Sequence, residues 1–326
     1  MKEKVSIITG ASGEIGQNLI LEFEKLNNKK IVAIDLKQTI KSKCIYKFYQ
    51  KSILDQSVLS KLNEEYIIEE IYHFAAVLST KAEKNPALAE DVNIQGSINL
   101  FNLALSQYQK NNILTKIFFP SSIAVYNINS CSNKDELISE ETYCNPSTVY
   151  GKHKLFCENL GTSFEKYGNQ TNAFIDFRCI RFPGIISANS MPTGGTSDYA
   201  PELIHNAYNK NNYTSFVNKN TRLPFIVMPD AINAIVQIME IHKENLNKNA
   251  YNIKSFSPTL NELSLRIKTK FPDFLLSYNI DKMRQSIVDD WPNFINDNAA
   301  KDDWGWSPKY NLESAFIEYI QPILEK

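Results

Sequence analysis

The sequence predicts an α/β protein with a doubly wound parallel sheet and a smaller, discontinuous α+β cap. Three observations predict this class. Short apolar strands alternate with helical stretches through about the first 180 residues, a glycine-rich turn joins the first strand to the first helix, and small or polar residues follow several strand ends. Such alternation favours a parallel sheet covered on both faces, with its ligand crevice at the carboxyl ends of the strands.

Composition and charge narrow the class of protein. The chain has 326 residues, 43% of them hydrophobic, and a formal net charge of -1, so it can bury a full core. Its basic clusters are short, and neither nucleic acid nor a membrane is an expected partner. Five scattered cysteines without a C-x-x-C spacing indicate reduced thiols and no metal site. With no apolar run near the roughly 20 residues that span a bilayer, and a strand beginning almost at Met1, we expect a cytoplasmic protein.

The first strand, Val5–Thr9, runs into the turn Gly10–Gly16, whose glycines have the spacing G-x-x-G-x-x-G. Glycines there permit a tight turn and a close approach of the backbone to a pyrophosphate, and the following helix offers free N–H groups to an anion. The second strand ends on Asp35, about 20 residues further on, where a carboxylate accepts hydrogen bonds from the ribose hydroxyls of NAD. The pattern predicts a Rossmann-type NAD site. The plainer alternative is a turn that binds no phosphate.

Further strands, at 45–49, 70–74 and 116–120, deliver small or polar residues to the same edge of the sheet. A helix from about 87 to 110 lies between the last two strands and contains Asn93. Because carboxyl ends of parallel strands share one edge, we expect these residues to surround the crevice. The residues that follow the strands are Ser52 and Ile53, then Ala75, Ala76 and Ser79, then Ser121 and Ser122.

Tyr150 and Lys154 stand four residues apart at the start of a predicted helix. That spacing places both side chains on one helix face. An ammonium beside a phenol stabilises the phenolate and lowers the phenol pKa, so that tyrosine can act as a general base near neutral pH. We interpret Tyr150 as that base. Taken alone, the pattern also fits two unrelated surface residues.

Together, these motifs resemble the extended short-chain dehydrogenase/reductase family of the UDP-galactose 4-epimerase-like type. Its members carry G-x-x-G-x-x-G, an asparagine in V-N-x-x-G, a catalytic Ser or Thr and Y-x-x-x-K, all of which are present here in that order. The resemblance implies Tyr150 as acid/base, Lys154 as phenolate stabiliser and ribose ligand, Ser122 as the residue that orients the substrate hydroxyl, and Asn93 as a support near the cofactor. It implies cofactor contacts at Gly10, Gly13, Glu14, Ile15, Gly16, Asp35, Leu36, Ser52, Ile53, Ala75, Ala76, Asn93, Tyr150, Lys154, Pro183 and Ile185.

The C-terminal half resembles one branch of that family, the short-chain type of L-threonine 3-dehydrogenase. The matching strings stand at 181–187, 194–200, 221–224, 228–231, 284–287 and 303–306. This resemblance implies NAD-dependent oxidation of L-threonine at C3 to L-2-amino-3-oxobutanoate, the first step of threonine degradation to glycine. Three positions depart from the branch: Phe182, Ser197, and Asp290 next to a tryptophan. The implied substrate contacts are Ser79, Ser121, Ser122, Tyr150, Thr196, Ser197, Asp198 and Trp291.

Several alternatives remain at this stage. Ser197 and Asp198 could cap the helix that begins near Tyr199 instead of contacting substrate, and Trp291 could be an ordinary core aromatic. A nucleotide-sugar epimerase or dehydratase would use the same fold, but such relatives hold the diphosphate with an asparagine where this chain has Gly184. A non-catalytic NAD-binding regulator is the third reading, against which the retained serine, tyrosine and lysine argue.

Domain organisation and assembly complete the expectations. We expect an NAD-binding domain at 1–180, with returning segments at 217–245 and about 293–310, and a substrate-binding cap at 181–216 and 246–292. The helix around Asn93 has a second apolar stripe, which predicts a homodimer through this helix and the Tyr150 helix. Its alternative is a stripe covered by the same chain. The stripe comprises Ile94, Ile98, Phe101, Leu105 and Tyr108.

Overall fold

The computed structural model describes residues 2–131, 133–166, 174–192 and 194–325. The strands are β1 (Glu3–Thr9), β2 (Ile31–Asp35), β3 (Ile45–Gln50), β4 (Tyr66–His73), β5 (Thr115–Ser122), β6 (Leu137–Ile138), β7 (Ile175–Phe182), β8 (Gly184–Ile186), β9 (Tyr213–Ser215), β10 (Phe225–Val227), β11 (Tyr251–Asn252), β12 (Leu276–Tyr278) and β13 (Phe294–Ile295). The α-helices are α1 (Glu14–Leu26), α2 (Gln56–Glu65), α3 (Ser79–Lys84), α4 (Pro86–Glu90), α5 (Gly96–Asn111), α6 (Val149–Lys166), α7 (Tyr199–Tyr208), α8 (Met228–Glu240), α9 (Leu260–Lys270), α10 (Lys282–Asp289), α11 (Asn298–Trp304), α12 (Leu312–Ser314) and α13 (Gln321–Leu324).

Four shorter helical turns lie in the described ranges. Turns of 3₁₀ type stand at Ile123–Val125 and Lys243–Asn245, and π-helical turns at Asp91–Gln95 and Ala315–Ile320. No helix within the described ranges combines the length and the apolar character needed to cross a membrane.

Seven strands form one parallel sheet in the spatial order β11-β7-β5-β4-β1-β2-β3. The chain runs outward from β1 to β3 and then crosses back to β4 on the other side of β1, so the strand order reverses between β1 and β4. In open sheets of this type, ligands bind at such a reversal, outside the carboxyl ends of the strands. The predicted doubly wound α/β class is confirmed.

Strand residues alternate between two apolar cores, one on each face of the sheet. In β1, Ile7 belongs to the core that contains the apolar residues of α2, α5 and α6, whereas Ile8 belongs to the core of α1 and α8. Every residue of β7 is buried. Full burial on both faces is what a central parallel strand requires. Because burying one large apolar side chain is worth about 1.5–3 kcal/mol, these two cores hold the sheet edge, and therefore the crevice, in place.

Two predicted elements have different boundaries in the structure. The strand expected at 70–74 begins at Tyr66, because Glu70 is accommodated inside the strand by an ion pair with Lys29 at 2.6 Å. The helix expected from 87 to 110 is interrupted by the π-helical turn Asp91–Gln95. Asn93 lies in that wider turn.

The second segment of the predicted cap, 246–292, does not begin where we expected. Tyr251 and Asn252, assigned from sequence to the cap, form β11 at the edge of the main sheet, paired with Ile180 and Arg181. The buried backbone N–H of Asn252 also donates to Glu140 at 3.0 Å, and Glu140 lies in the 1–180 domain. Tyr251 and Asn252 are therefore bonded to that domain rather than to the cap. Within the cap, β9 pairs with β12, and β8 of the cap pairs with β10 of the returning segment, in two small parallel ribbons.

The second apolar stripe of α5 is partly covered by the same chain. Phe101 is fully buried, with its ring centroid 5.5 Å from that of Phe164 in α6 and 5.8 Å from that of Phe177 in β7. The other members of the stripe, Ile94, Ile98, Leu105 and Tyr108, are half-buried. Part of the surface proposed for dimerisation is therefore used internally.

Candidate active site

A cavity of about 200 Å³ opens at the carboxyl edge of the sheet, between the strands and the cap. It collects residues from the glycine turn, from the ends of β4 and β5, from α6 and from the cap. The predicted site residues that line it are Glu14, Ile15, Ala76, Ser79, Ser121, Ser122, Tyr150, Lys154, Pro183, Ile185, Thr196, Ser197, Asp198 and Trp291. Residues from both halves of the chain thus face one space.

The glycine turn has the shape that a dinucleotide requires. Gly10 has φ +64°, and a Cβ atom on it would lie 2.6 Å from the backbone N of Ala75. Only glycine fits so close to the neighbouring strand end in that left-handed conformation. Gly13 immediately precedes α1, and a Cβ atom on Gly16 would lie 2.4 Å from the Gly10 carbonyl oxygen. The turn therefore presents the N-terminus of α1 at close range, as an anionic pyrophosphate needs.

Asp35 lies where the ribose carboxylate was expected, at the end of β2. One of its oxygens accepts from the backbone N–H of Ser12 at 2.9 Å, and the other accepts from that of Lys37 at 3.2 Å. These bonds orient the carboxylate beside the glycine turn and leave acceptor capacity on both oxygens. Leu36, next in sequence, is 67% exposed.

The remaining predicted cofactor residues lie around the cavity rather than in it. Asn93 uses its whole side-chain amide on the backbone of Val77, with its oxygen accepting at 2.7 Å and its nitrogen donating at 3.0 Å. It therefore fixes the segment that follows β4, which contains Ala75. Ser52 accepts from the backbone N–H of Leu54 at 3.2 Å, and Ile53 is buried beside α5.

Tyr150 and Lys154 lie on the first turns of α6, as the spacing predicts. The ammonium of Lys154 is buried, donates to the carbonyl oxygen of Pro120 at 2.6 Å and lies 5.5 Å from the centroid of the Tyr150 ring. Burial lowers the pKa of Lys154 to about 8, so it carries a proton at neutral pH. Burial raises the pKa of Tyr150 above its ordinary value. The expected lowering of the Tyr150 pKa is wrong for this arrangement, because the ammonium is bonded to a carbonyl and not to the phenol.

The two serines at the end of β5 differ in their hydrogen bonds. Ser122 accepts from the backbone N–H of Ala124 at 3.2 Å, so its hydroxyl hydrogen is free to point into the cavity. Ser121 is buried, and its hydroxyl has no hydrogen-bond partner among the described residues. An unpaired buried hydroxyl is costly, which is consistent with a polar ligand group that pairs with it.

Two contacts that place α6 were not recognised in the sequence. Arg181 and Glu158 form a buried, two-pronged ion pair with N to O distances of 2.9 and 2.6 Å, which joins β7 to α6 one turn beyond Lys154. A Cβ atom on Gly151 would lie 2.0 Å from the carbonyl oxygen of Ala124, so the start of α6 packs directly on the backbone that follows Ser122. A glycine inside a predicted helix, directly after the predicted base, was the signal available in the sequence.

On the cap side, Thr196 is the best anchored residue. Its backbone N–H and its hydroxyl both donate to the hydroxyl oxygen of Ser79, at 3.3 and 3.1 Å.

Asp198 stands at the start of α7 but makes no capping hydrogen bond there; its carboxylate instead accepts from the backbone N–H groups of Gly194 and Gly195. The capping alternative is therefore wrong for Asp198. The Arg284 guanidinium, which was not predicted, donates to the carbonyl oxygen of Gly195 at 2.6 Å.

Trp291 is both a core residue and a cavity residue, so the two interpretations of it are compatible. It is 5% exposed and lines the cavity opposite the strand ends. Ser197 also lines the cavity, packed against Gly184, where a Cβ atom would lie 3.2 Å from the Cβ atom of Ser197. There is no space at position 184 for the longer side chain that a diphosphate-binding asparagine would need.

Glu14 introduces a carboxyl group at the N-terminus of α1. Its carboxylate accepts a hydrogen bond from the hydroxyl of Ser190, another residue that the sequence did not single out. Burial raises the pKa of Glu14, and the hydroxyls of Ser190 and Ser187 partly oppose that change. This bond ties the glycine turn to the segment that leads into the cap.

A model of the NAD dependent epimerase/dehydratase family matches residues 6–253. An uncharacterized epimerase/dehydratase of Staphylococcus saprophyticus is 35% identical, over 99% of this chain and 97% of that protein.

Two solved structures are also similar over nearly the whole chain. The first is a monomeric L-threonine 3-dehydrogenase from a metagenome, in its apo form, with 39% identity and a TM-score of 0.88 over 98% of this chain and 99% of that one. The second is a GalE-like L-threonine dehydrogenase from Cupriavidus necator, in its holo form, with 30% identity and a TM-score of 0.88 over 98% and 99% of the two chains. By family match and by relatives, the chain belongs to the NAD dependent epimerase/dehydratase family.

Proposed function

We propose that this protein oxidises L-threonine at C3 with NAD, yielding L-2-amino-3-oxobutanoate. The observation that carries the proposal is that Ser122, Tyr150 and Lys154 line the same small cavity as Thr196 and Trp291 of the cap. A cavity of about 200 Å³ lies below the roughly 300–1,000 Å³ of pockets for drug-sized ligands. The tight packing around Gly184 argues against a sugar nucleotide, because it leaves no space for the asparagine that holds the diphosphate in such relatives. The similarity to solved threonine dehydrogenases supports the same choice.

The residues of the chain supply proton transfer and orientation. Tyr150, as phenolate, takes the proton of the C3 hydroxyl, while the free hydroxyl hydrogen of Ser122 bonds to the same substrate oxygen as negative charge develops on it. The bond from Lys154 to the Pro120 carbonyl holds an ammonium beside the phenol ring, available to the ribose and to the phenolate. NAD, when bound, accepts the hydride from C3. Ser121 and the pair Ser79–Thr196 offer hydroxyl groups to the amino-acid end of the substrate.

Cofactor choice follows from Asp35. A carboxylate oriented by Ser12 and Lys37 accepts hydrogen bonds from ribose hydroxyls and repels a 2′-phosphate. We therefore expect NAD to be reduced much faster than NADP at equal, subsaturating concentration. Equal rates with the two cofactors would contradict this assignment.

The function is tested by NADH absorbance after mixing the protein, NAD and a panel of hydroxy amino acids that includes L-threonine, L-allo-threonine, D-threonine and L-serine. The expected result is NADH formation that depends on L-threonine and is unchanged in the control Tyr278→Phe, whose ring is exposed on β12. Interconversion of UDP-glucose and UDP-galactose without net NADH would favour an epimerase. NADH binding without turnover of any substrate would favour a regulator.

We also propose a homodimer through α5 and α6. The half-buried residues of the α5 stripe and the 47% exposed ring of Phe156 on α6 support it. Sedimentation at micromolar concentration should give twice the chain mass, and Phe156→Glu should return it to the mass of one chain. The similar metagenomic enzyme is described as monomeric, so a single-chain mass for the native protein would align it with that relative and reject the dimer.

A further inference from the structure

Asp290 directly follows the cap helix α10 and directly precedes Trp291, which forms part of the cavity wall. Its carboxylate is buried, with 8% of the residue exposed. One oxygen accepts from the side-chain amide of Asn129 at 2.5 Å, and the other accepts from the hydroxyl of Ser147 at 2.5 Å. Both donors are neutral, so the buried charge is held by two short hydrogen bonds.

The donors belong to the two segments that carry the catalytic side chains. Asn129 lies on the segment that follows β5 and therefore follows Ser122, and Ser147 stands three residues before Tyr150. A third bond adds to these, because the backbone N–H of Ile128 donates to the Asp290 carbonyl oxygen at 2.8 Å. The residue before Trp291 is thus bonded to both segments at once.

We propose that Asp290 is a positioning residue for the oxidation of L-threonine. Its hydrogen bonds hold Trp291 of the cap in a fixed position relative to Ser122 and Tyr150. The inference rests on the proposed function. It extends that function because Asp290 does not touch the cavity, and it accounts for the carboxylate that departs from the resembling branch at this position. Hydrogen bonds to a charged group are stronger than those between neutral groups, so the two bonds of the Asp290 carboxylate can hold this wall of the cavity in place.

The effect of substitution depends on hydrogen-bond geometry more than on charge. Asp290→Ala removes both side-chain bonds and frees Trp291 to shift. Asp290→Asn can restore both, because its amide oxygen accepts from Asn129 while its NH₂ donates to the Ser147 hydroxyl, which rotates to accept. Asp289→Ala is the matched control, since Asp289 is the exposed neighbouring acid at the end of α10, and its removal changes the net charge by the same amount.

The experiment measures threonine kcat and KM together with NADH affinity by fluorescence for the four proteins. For Asp290→Ala we expect kcat/KM for threonine to fall by about ten- to a hundredfold, mostly through KM because Trp291 bounds the substrate space. NADH affinity should change less than twofold, because the glycine turn and Asp35 lie elsewhere. Asp290→Asn and Asp289→Ala should behave like the native protein. Native kinetics in Asp290→Ala, or failure of Asp290→Asn to restore activity, would overturn the proposal.

A second measurement keeps the inference independent of threonine turnover. Hydrogen exchange of peptides that span 126–129 and 145–150 should quicken in Asp290→Ala and stay native in Asp290→Asn. If the native protein does not oxidise threonine but this exchange pattern is seen, the proposed function fails while the bond between cap and catalytic segments stands. Should Asp290→Ala not fold, Ser147→Ala removes one of the two bonds, and an unchanged KM for threonine in that variant would reject the proposal.

Discussion

The two walls of the cavity are built in different ways. On the sheet side, Ser122 stands at the end of β5, and Tyr150 and Lys154 stand on α6, so each is placed by continuous backbone with a buried core behind it. On the cap side, Thr196 and Trp291 lie on connecting segments between short elements. They are held by a few hydrogen bonds, those of Thr196 to the Ser79 hydroxyl and, for Trp291, those that the neighbouring Asp290 accepts.

The difference separates two kinds of requirement. Groups that move a proton must keep their geometry in every turnover, and elements with full cores on two faces provide that rigidity. Groups that bound the substrate must admit and release it, and segments held by a few hydrogen bonds, each worth about 1 kcal/mol, can open at low cost. We therefore expect changes on the sheet side to act on kcat and stability, and changes on the cap side to act on threonine KM.

The largest expected effect is at the base. Tyr150→Phe keeps the ring but removes the proton acceptor, and general-base loss lowers a rate by about 10²–10⁴. Threonine-dependent NADH formation should fall by that factor while the NADH dissociation constant stays nearly native. Turnover close to the native rate in this variant would refute both the mechanism and the contrast between the walls.

The second prediction concerns the rigidity of the sheet side. Gly151→Ala places a methyl group 2.0 Å from the Ala124 carbonyl oxygen, and neither backbone can yield without moving α6 away from Ser122. Overpacking of this kind costs about 1–3 kcal/mol of unfolding free energy, and kcat should fall with it. Urea unfolding measures the loss. The control Lys152→Ala, exposed on the same helix, should stay within about 0.5 kcal/mol of the native protein, and an equal loss in both would argue against tight packing at Gly151.

The third prediction is a pH dependence. Burial raises the pKa of Tyr150, so the phenolate is the minor form near neutral pH, and kcat/KM should rise about tenfold per pH unit as it is populated. Lys154, whose pKa burial lowers to about 8, loses its charge above that pH, and the rise should become less steep there. Lys154→Met should remove the break near pH 8 and weaken NADH binding. A native profile that is flat from pH 6.5 to 8 would show that Tyr150 is already ionised.

The smallest effect is expected on the cap side. Thr196→Val keeps the shape of the side chain and removes the hydroxyl that donates to Ser79 at 3.1 Å. Loss of one neutral hydrogen bond, about 1 kcal/mol, should raise the threonine KM about fivefold with kcat and NADH affinity unchanged. The control is Thr214→Val, because Thr214 is exposed on β9 of the cap, away from the cavity. Its threonine KM should equal that of the native protein. A kcat effect larger than the KM effect would erase the distinction between the walls.

Much of the sheet side could be read from the sequence. The glycine turn, the end of β2 at Asp35, the serines after β5 and the helical spacing of Tyr150 and Lys154 are local patterns, and local patterns depend on turn chemistry and side-chain period. The expected family and the doubly wound fold are confirmed. The hydrogen bond that holds the Lys154 ammonium was not foreseen, because its acceptor is the carbonyl oxygen of Pro120, 34 residues away in the sequence.

By itself, the sequence determined the order of strands and helices, the phosphate-type turn and the set of candidate groups, because each depends on residues close together in the chain. Only the tertiary structure decided how the groups are held. The bond between Thr196 and Ser79 joins residues 117 positions apart, and that between Ser147 and Asp290 joins residues 143 apart. Such pairs have no local signature, since their members meet only after the sheet has formed its seven-stranded order and the cap has packed on its edge.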